Sequence, residues 1–171
     1  MEYIGNISEL KAGGDKPTVF SETKTKDCFV PIYSNGVVNE GLFGYTDKAN
    51  YPKESITVSA RGTIGYCELR NEPFDAIVRL IVVIPKQQYQ TKYLFECIKR
   101  IEFDHSGSVQ NQLTIPQIST LQIMLPSSDV LKRYNSIMYV LLEKKRILKT
   151  ENSKLEEVKD LLLARMQRVE L

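Results

Sequence analysis

The feature that most constrains the fold is one uninterrupted helical pattern in the last quarter of the chain. From about Ser128 to Val169, apolar residues recur every three or four positions, and the segment contains neither glycine nor proline. At about 1.5 Å per residue such a helix is roughly 60 Å long, more than the small region before it can cover. The pattern therefore predicts a long helix that needs a partner helix.

Written as heptads, this helix has two columns that predict a coiled-coil seam. One column is apolar and the other is half polar, a combination that selects register and partner number at some cost in stability. The first column reads Tyr134, Leu141, Leu148, Leu155, Leu162 and Val169, and the second reads Met138, Lys145, Asn152, Lys159 and Met166. The seam predicts dimerisation, and the alternative is a helix that packs along its own domain.

Charged residues beside the seam indicate the direction of pairing. In a parallel homodimer Lys144 faces Lys149 of the second chain. Glu151 faces Glu156 in the same arrangement, so the two residues of each pair carry like charges and repel each other. An antiparallel pair centred near Asn152 brings Lys149 towards Glu156 instead, and we therefore expect an antiparallel homodimer.

Length and cysteine use place the chain in a broad class. At 171 residues it accommodates one globular domain, residues 1–126, followed by the helical segment 127–171. The N-terminus has no basic region followed by an apolar run, and no stretch is long and apolar enough to span a membrane, so we expect a cytosolic protein. Cys28, Cys67 and Cys97 are odd in number and widely spaced, which predicts reduced thiols rather than disulfides or a zinc site.

The net charge of +2 is no evidence for nucleic-acid binding, because the positive excess lies on the helix. Residues 1–128 hold 13 lysines and arginines against 14 aspartates and glutamates, whereas residues 129–171 hold 10 against 7. If the globular part binds DNA, its basic residues must gather on one face.

The first 125 residues predict short strands separated by turn-forming residues. The β-rich runs are residues 28–33, 55–60, 64–68, 76–84 and 121–125. The pair Arg61-Gly62 predicts a tight hairpin with Arg61 at its exposed tip. The fold class is therefore α+β: a small globular domain of short strands and short helices, followed by a long C-terminal coiled-coil helix.

Helical spacing and capping residues predict the helices and where they begin. We expect helices at residues 91–101 and 116–121, the second capped by Thr114. Ser128 or Asp129 is the expected N-cap of the long helix, since either side-chain oxygen accepts a free backbone N–H of the first turn.

The sequence lacks the residue patterns of a catalytic site. His105 is the only histidine, and no serine or cysteine lies in a recognisable nucleophile motif. Residues 71–74 read Asn-Glu-Pro-Phe, similar to the Asn-Pro-Pro-Phe loop of amino-group DNA methyltransferases, but the second position differs and no glycine-rich cofactor loop is present. No phosphate-binding loop or metal-spaced carboxylate cluster occurs. We expect a protein that is not an enzyme and binds no cofactor or metal.

Long polar side chains concentrate in the predicted loops. Arginine and lysine suit guanine and phosphate, whereas asparagine and glutamine can make paired hydrogen bonds to adenine. The candidate DNA-binding residues are Lys16, Thr18, Ser21, Thr23, Lys24, Lys26, Ser34, Asn35, Arg61, Arg70, Lys86, Gln87, Gln88, Tyr89, His105, Ser106, Gln110, Asn111 and Gln112. The alternative is that these segments are ordinary solvated loops.

Two stretches carry a family resemblance. Residues 4–14 read IGNISELKAGG, and residues 107–118 read GSVQNQLTIPQI, followed by LQIMLP at residues 121–126. They resemble the opening and the closing of a target recognition domain of the specificity subunit of type I restriction–modification systems. The predicted hairpin at residues 59–65 also fits this family, and the order of the parts covers essentially the whole chain.

The resemblance implies a non-catalytic specificity subunit that reads one half of a bipartite DNA target. Members of the family usually carry two recognition domains spaced by two antiparallel helices, whereas this chain carries one of each and looks like a half subunit or a fragment. Two identical readers in an antiparallel homodimer would recognise an interrupted palindrome.

The resemblance also implies partners: double-stranded DNA, a modification (methyltransferase) subunit and a restriction subunit. Those subunits would bring S-adenosylmethionine, ATP and magnesium, and this chain would bind none of them. Two alternatives stay open: a non-catalytic adaptor that dimerises through its coiled coil and binds another protein, and an accessory fragment whose His105 serves a larger enzyme complex.

Overall fold

The computed structural model describes residues 1–103 and 112–169, with side chains up to residue 167. The chain divides into two compact units, a globular unit (Met1–Leu131) and a helical unit (Lys132–Leu171). The three cysteines are free thiols. Among the helices of the described ranges, none is long and apolar enough to cross a membrane.

The globular unit is built from short strands and short helices. The strands are β1 (Glu2–Tyr3), β2 (Ser8–Ala12), β3 (Val30–Tyr33), β4 (Leu42–Thr46), β5 (Ser55–Ser59), β6 (Cys67–Arg70), β7 (Asp75–Ala76), β8 (Leu80–Pro85) and β9 (Gln122–Ile123). The helices are α1 (Ile4–Ile7), α2 (Thr91–Lys99) and α3 (Ile115–Ser119), and the chain then enters the long helix α4 (Ser128–Val169).

Strand β8 lies inside an antiparallel four-stranded sheet of order β2-β8-β5-β6. Successive side chains of a strand point to opposite faces, and both faces of β8 are covered. Ile81 and Val83 pack into a core with Leu94 and Ile98 of α2. Val82 packs into a second core on the other face. The continuous apolar run of β8 therefore separates two cores.

The second core is formed by aromatic side chains around Phe74, which is fully buried. The Tyr51 ring stacks on Phe74 with centroids 5.1 Å apart, and the Tyr33 ring meets Phe74 edge-on at 5.8 Å. Such offset and edge-on pairs stabilise a core beyond the area they bury. Tyr33 belongs to a three-stranded sheet of order β4-β3-β7, in which β3 and β7 run parallel.

Several strands end at one common edge of the globular unit. Strand β7 leads through residues 77–79 into β8, and its parallel neighbour β3 ends beside it. Ser59 at the end of β5 pairs with Leu80 at the start of β8. The Gly13 N–H, just after β2, donates to the Leu80 carbonyl at 2.8 Å. We call this edge, where β2, β3, β5 and β7 end and β8 begins, the loop edge.

The structure confirms the predicted α+β class and the long C-terminal helix. Helices α2 and α3 lie where helices were expected, and the backbone N–H of Thr114 donates to the Gln117 side chain at 2.8 Å, as in a capping box. Strands β1, β2 and β4 were not predicted: β1 has only two residues, β2 contains the charged Glu9 and Lys11, and β4 contains Gly44, a residue rare inside strands. The predicted strand 76–84 is broken after Ala76, because Arg79 adopts a left-handed φ of 74°.

Two local predictions were wrong. The Arg61-Gly62 turn is not a tight hairpin, because the N–H of Ala60 donates to the Arg79 carbonyl and its own carbonyl accepts from Leu113. Strand β5 ends at Ser59 and β6 begins only at Cys67, so residues 60–66 form a longer connection between the two paired strands. Neither Ser128 nor Asp129 precedes helix α4, since Ser128 is already its first residue and the Leu131 N–H donates to the Ser127 carbonyl.

The adjacent glycines at the end of β2 predict a matched stability test. A Cβ on Gly13 would lie 2.5 Å from the Ile77 carbonyl oxygen and 2.9 Å from that of Ala76, whereas a Cβ on Gly14 meets nothing within 4 Å. We expect Gly13→Ala to lower the free energy of unfolding by about 1–3 kcal/mol, and Gly14→Ala to change it by less than about 0.5 kcal/mol. Urea unfolding followed by circular dichroism measures both; equal losses would contradict this packing.

Candidate nucleic-acid interface

Residues from three separate loops are hydrogen-bonded to one another at the loop edge. The Asn35 side-chain amide donates to the Arg61 carbonyl at 3.2 Å, and the Arg61 Nε donates to the Gln112 Oε1 at 2.9 Å. All three were predicted to contact DNA, and the fold brings them together from far apart in the sequence. We call them the Asn35–Arg61–Gln112 cluster.

Backbone hydrogen bonds fix the loops that carry this cluster. Asn35 follows the end of β3 and Arg61 follows the end of β5. The Leu113 N–H donates to the Ala60 carbonyl at 2.9 Å, which anchors the segment after residue 111 beside Arg61. The cluster therefore lies directly after the ends of two strands whose apolar residues pack in the two cores.

Arg79 is a cation at this edge that the sequence prediction missed. It is exposed, and its carbonyl accepts the Ala60 N–H at 2.9 Å, directly beside Arg61. Its left-handed backbone forms the turn between β7 and β8. An arginine inside the apolar run 76–84 was the available signal, because a buried strand has no place for an exposed cation.

The turn after β3 has an unusual backbone. Asn39, Glu40 and Gly41 all adopt left-handed φ angles, of 49°, 56° and 80°. The turn is closed by the Ser34 N–H, which donates to the Gly41 carbonyl at 2.8 Å. Left-handed conformations of residues other than glycine cost of order 1–2 kcal/mol each, so the surrounding structure must hold them in place. We call residues 34–41 the left-handed turn.

Arg70 supplies part of that support, and its predicted role as a DNA contact is wrong. Its side chain is only 4% exposed. The Nη2 donates to the Glu40 carbonyl at 2.6 Å, the Nε donates to the Thr57 hydroxyl at 3.0 Å, and the Cζ lies 3.5 Å from the centroid of the Tyr33 ring. The end of β6 directs this side chain inwards. Its guanidinium therefore stabilises the left-handed turn from the protein interior, through the hydrogen bond to the Glu40 carbonyl.

The tyrosine beneath Arg70 is neutral at ordinary pH. Burial raises the pKa of Tyr33 to about 12; the Arg70 guanidinium opposes this rise and the Glu72 carboxylate adds to it. The Tyr33 hydroxyl donates to the Glu72 Oε1 at 3.3 Å. Burial also lowers the pKa of Arg70, but a guanidinium keeps its charge in proteins. A buried cation therefore rests on a neutral aromatic ring.

The predicted segment from Lys16 to Lys26 runs along the outer side of β4. The Lys16 ammonium lies 3.4 Å from the centroid of the Phe20 ring, a cation–π contact. Ser21 pairs with Tyr45 of β4 and is partly buried. The exposed members are Lys16, Thr18, Thr23, Lys24 and Lys26. The chain reaches the loop edge before this segment begins, where Gly14 bridges to Ile77.

The remaining predicted residues are not brought to the cluster. Lys86 follows the last residue of β8, and its ammonium donates to the Asn6 carbonyl at 2.7 Å. Gln87, Gln88 and Tyr89 continue from there on the exposed surface. Because Lys86 lies six residues after Leu80, this group is roughly 20 Å along the strand direction from the loop edge.

Four predicted residues lie outside the described part of the chain. They are His105, Ser106, Gln110 and Asn111.

Ser34 is partly buried at the base of the left-handed turn, where its backbone N–H makes the closing hydrogen bond.

The helical unit and the start of α4 expose a broad apolar surface. In the first predicted column Leu141, Leu148, Leu155 and Leu162 are all exposed, while Tyr134 is partly buried. In the second column Lys145, Asn152, Lys159 and Met166 are exposed and Met138 is partly buried. The Val169 side chain lies beyond the described side chains. Exposed apolar residues outside both columns include Ile137, Val140, Ile147, Val158 and Leu161.

Comparison with known families places most of the chain in one family. The model of the type I restriction modification DNA specificity domain matches residues 3–157, which is most of the chain. The chain belongs to this family. The specificity-domain match includes all three loops of the Asn35–Arg61–Gln112 cluster and the first part of α4.

Relatives of this specificity domain are named as specificity subunits. Two come from Mycoplasma pneumoniae: one is 35% identical over 139 residues, 81% of this chain and 41% of the relative, and the other is 36% identical over 119 residues, 70% of this chain and 33% of the relative. The HindI specificity subunit of Haemophilus influenzae is 24% identical over 129 residues, 71% of this chain and 28% of that protein. The chain thus spans less than half the length of these relatives.

Solved structures share the fold of this specificity domain. The S subunit of a type I restriction–modification system from M. genitalium superposes with a TM-score of 0.62 at 20% identity, covering 83% of this chain and 38% of that chain. The HsdS subunit from Thermoanaerobacter tengcongensis gives 0.56 at 14% identity, covering 86% and 38%.

The buried position of Arg70 predicts a difference between two arginines of this specificity domain. Arg70→Met removes two hydrogen bonds and the contact with Tyr33, so we expect the free energy of unfolding to fall by about 2–4 kcal/mol. Arg61→Met removes one exposed hydrogen bond, so we expect a loss below about 1 kcal/mol. Urea unfolding midpoints test this. Similar losses in both variants would show that Arg70 has no special structural role.

Proposed function

We propose that this chain is a non-catalytic DNA-specificity component of a type I restriction–modification complex. In this proposal the loop edge of the globular unit reads one half of a bipartite DNA target. The observation that carries it is the Asn35–Arg61–Gln112 cluster, in which three loops are bonded together at one edge of a chain that belongs to the specificity-domain family.

The chemistry of this cluster suits the edges of base pairs in the major groove. A guanidinium such as that of Arg61 can donate two hydrogen bonds to O6 and N7 of guanine. The side-chain amides of Asn35 and Gln112 can accept a hydrogen bond from N6 of adenine and donate one to its N7. The hydrogen bonds within the cluster orient these groups before DNA arrives, so that less conformational entropy is lost on binding.

Cations around the cluster suit phosphate contacts that set the register. Arg79 is exposed on the turn beside Arg61, so two cations lie side by side at this edge. Contacts to phosphate position a protein on the duplex without reading its sequence. The near-neutral charge of residues 1–128 is compatible with DNA binding in this arrangement, because binding needs cations on one edge rather than a net positive domain.

The helix α4 is proposed to join two such readers in an antiparallel homodimer. Its leucine column is exposed at Leu141, Leu148, Leu155 and Leu162, and a solvent-exposed apolar column of this length favours association. A two-fold axis through the helices would relate two identical readers, so the target would be an interrupted palindrome. Methylation and cleavage would belong to separate modification and restriction subunits, which carry the cofactors.

Selection from randomised duplexes tests this function. The chain is mixed with its cognate modification subunit, found by co-purification, and the bound DNA is sequenced. We expect an enriched interrupted palindrome, with affinity that falls steeply as salt rises because several phosphates are neutralised.

Two other results of the selection would change the proposal. Enrichment of one undivided half-site would keep DNA recognition and exclude the homodimer. No enrichment even at low salt would reject DNA reading and favour an adaptor that binds protein through the exposed apolar face of α4.

The direction of helix pairing has a test with opposite signs. In the antiparallel homodimer residue 149 of each chain faces Glu156 of the other. The change Lys149→Glu therefore creates two repulsive glutamate pairs, and we expect the dimer dissociation constant to rise roughly 3- to 10-fold. In a parallel dimer the same change removes repulsion from Lys144 and tightens the dimer. Sedimentation equilibrium at low salt measures the constant, and the double change Lys149→Glu with Glu156→Lys should restore it only in the antiparallel case.

A further inference from the structure

We propose that the left-handed turn reads the 5-methyl group of thymine through Val37 and Val38, and that Arg70 is the positioning residue of this contact. The inference rests on the proposed function, because it names one chemical group that the loop edge recognises in DNA. It concerns an apolar group of the base pair, which side chains that recognise DNA by hydrogen bonding cannot detect.

The turn presents two β-branched apolar side chains to solvent beside the polar cluster. Val38 is 76% exposed and Val37 is 45% exposed. Asn35, at the start of the same turn, bonds to the carbonyl of Arg61. Single exposed valines are ordinary on protein surfaces, so the argument depends on their position next to groups that suit base edges.

The backbone of the turn is held more firmly than a connecting loop requires. Two residues other than glycine, Asn39 and Glu40, are kept in left-handed conformations directly after Val38. The Arg70 Nη2 bonds the Glu40 carbonyl at 2.6 Å, and the Ser34 N–H bonds the Gly41 carbonyl at 2.8 Å. Strained conformations that the surrounding structure maintains occur preferentially where a protein contacts a ligand.

A firmly held valine suits a methyl group better than a flexible apolar chain does. Valine has one side-chain torsion with few allowed rotamers, so an ordered contact costs it little entropy. In the major groove thymine alone among the four bases presents a methyl group, and apolar side chains contact it. With Arg61 suited to guanine and Asn35 to adenine, the two valines add the group that these residues leave unread.

Uracil substitution gives a direct test, because uracil differs from thymine only by the missing methyl. The half-site obtained by selection is synthesised with each thymine replaced in turn by uracil, and binding to the full chain with its modification subunit is measured. We expect the dissociation constant to rise about 3- to 10-fold at one or two positions. Val38→Ser should bind the thymine and uracil duplexes equally.

A matched control separates this turn from its neighbourhood. Val78 is 46% exposed on the neighbouring turn between β7 and β8, so Val78→Ser removes a similar side chain at the same edge. We expect this variant to keep the discrimination between thymine and uracil. Arg70→Lys, measured at a temperature where circular dichroism shows it folded, should reduce the discrimination, because lysine cannot hold both the Glu40 carbonyl and the Thr57 hydroxyl.

Defined results overturn the inference. Sequence-specific binding without any thymine–uracil difference, or a selected half-site without thymine, rejects methyl reading and leaves the proposed function standing. Retained discrimination in Val38→Ser, or lost discrimination in Val78→Ser, removes the assignment to this turn. Unchanged discrimination in folded Arg70→Lys rejects the positioning role, and failure of all specific binding rejects the proposed function itself.

Discussion

The burial of β8 on both faces is the constraint on which the rest of the globular unit depends. Ile81 and Val83 serve one core and Val82 the other, so a single strand fixes the four-stranded sheet and the aromatic core around Phe74 at once. The strands that pair or connect with β8 end near its first residue, Leu80. The loop edge is therefore a consequence of core packing. Apolar residues of the two cores fix the strand ends, and the strand ends fix the positions of the polar side chains at the loop edge.

Arg70 shows how a charge can be accommodated inside such a core. Its guanidinium is surrounded by a neutral ring, a hydroxyl and a backbone carbonyl, so it gives up water for hydrogen bonds and a cation–π contact. An apolar residue would leave the carbonyl of Glu40 without this donor. The cation thus couples the interior of the fold to the conformation of an exposed turn.

The sequence pattern predicted the long helix, α2 and α3 well, because apolar periodicity and capping residues are local properties. It failed where a distant partner decides the structure. Ala60 was placed in a hairpin, but Arg79 and Leu113 take its backbone hydrogen bonds. Arg70 was placed in a loop after the predicted strand 64–68, and only the fold shows that β6 extends to Arg70 and directs it inwards. Residue type drew attention to Asn35, Arg61 and Gln112 one by one, whereas their bonding to one another depends on strand order.

The hydrogen-bonded chain from Asn35 through Arg61 to Gln112 also bears on how specificity could evolve in this domain. Arg61 and Gln112 bond through their side chains, so a substitution at either one alters the hydrogen bonding of the other, whereas Asn35 donates to the backbone carbonyl of Arg61. Under the proposed function, a change of target sequence would require paired substitutions in loops that are distant in the gene. Such coupling would favour the joint replacement of these loops over stepwise substitution of single residues.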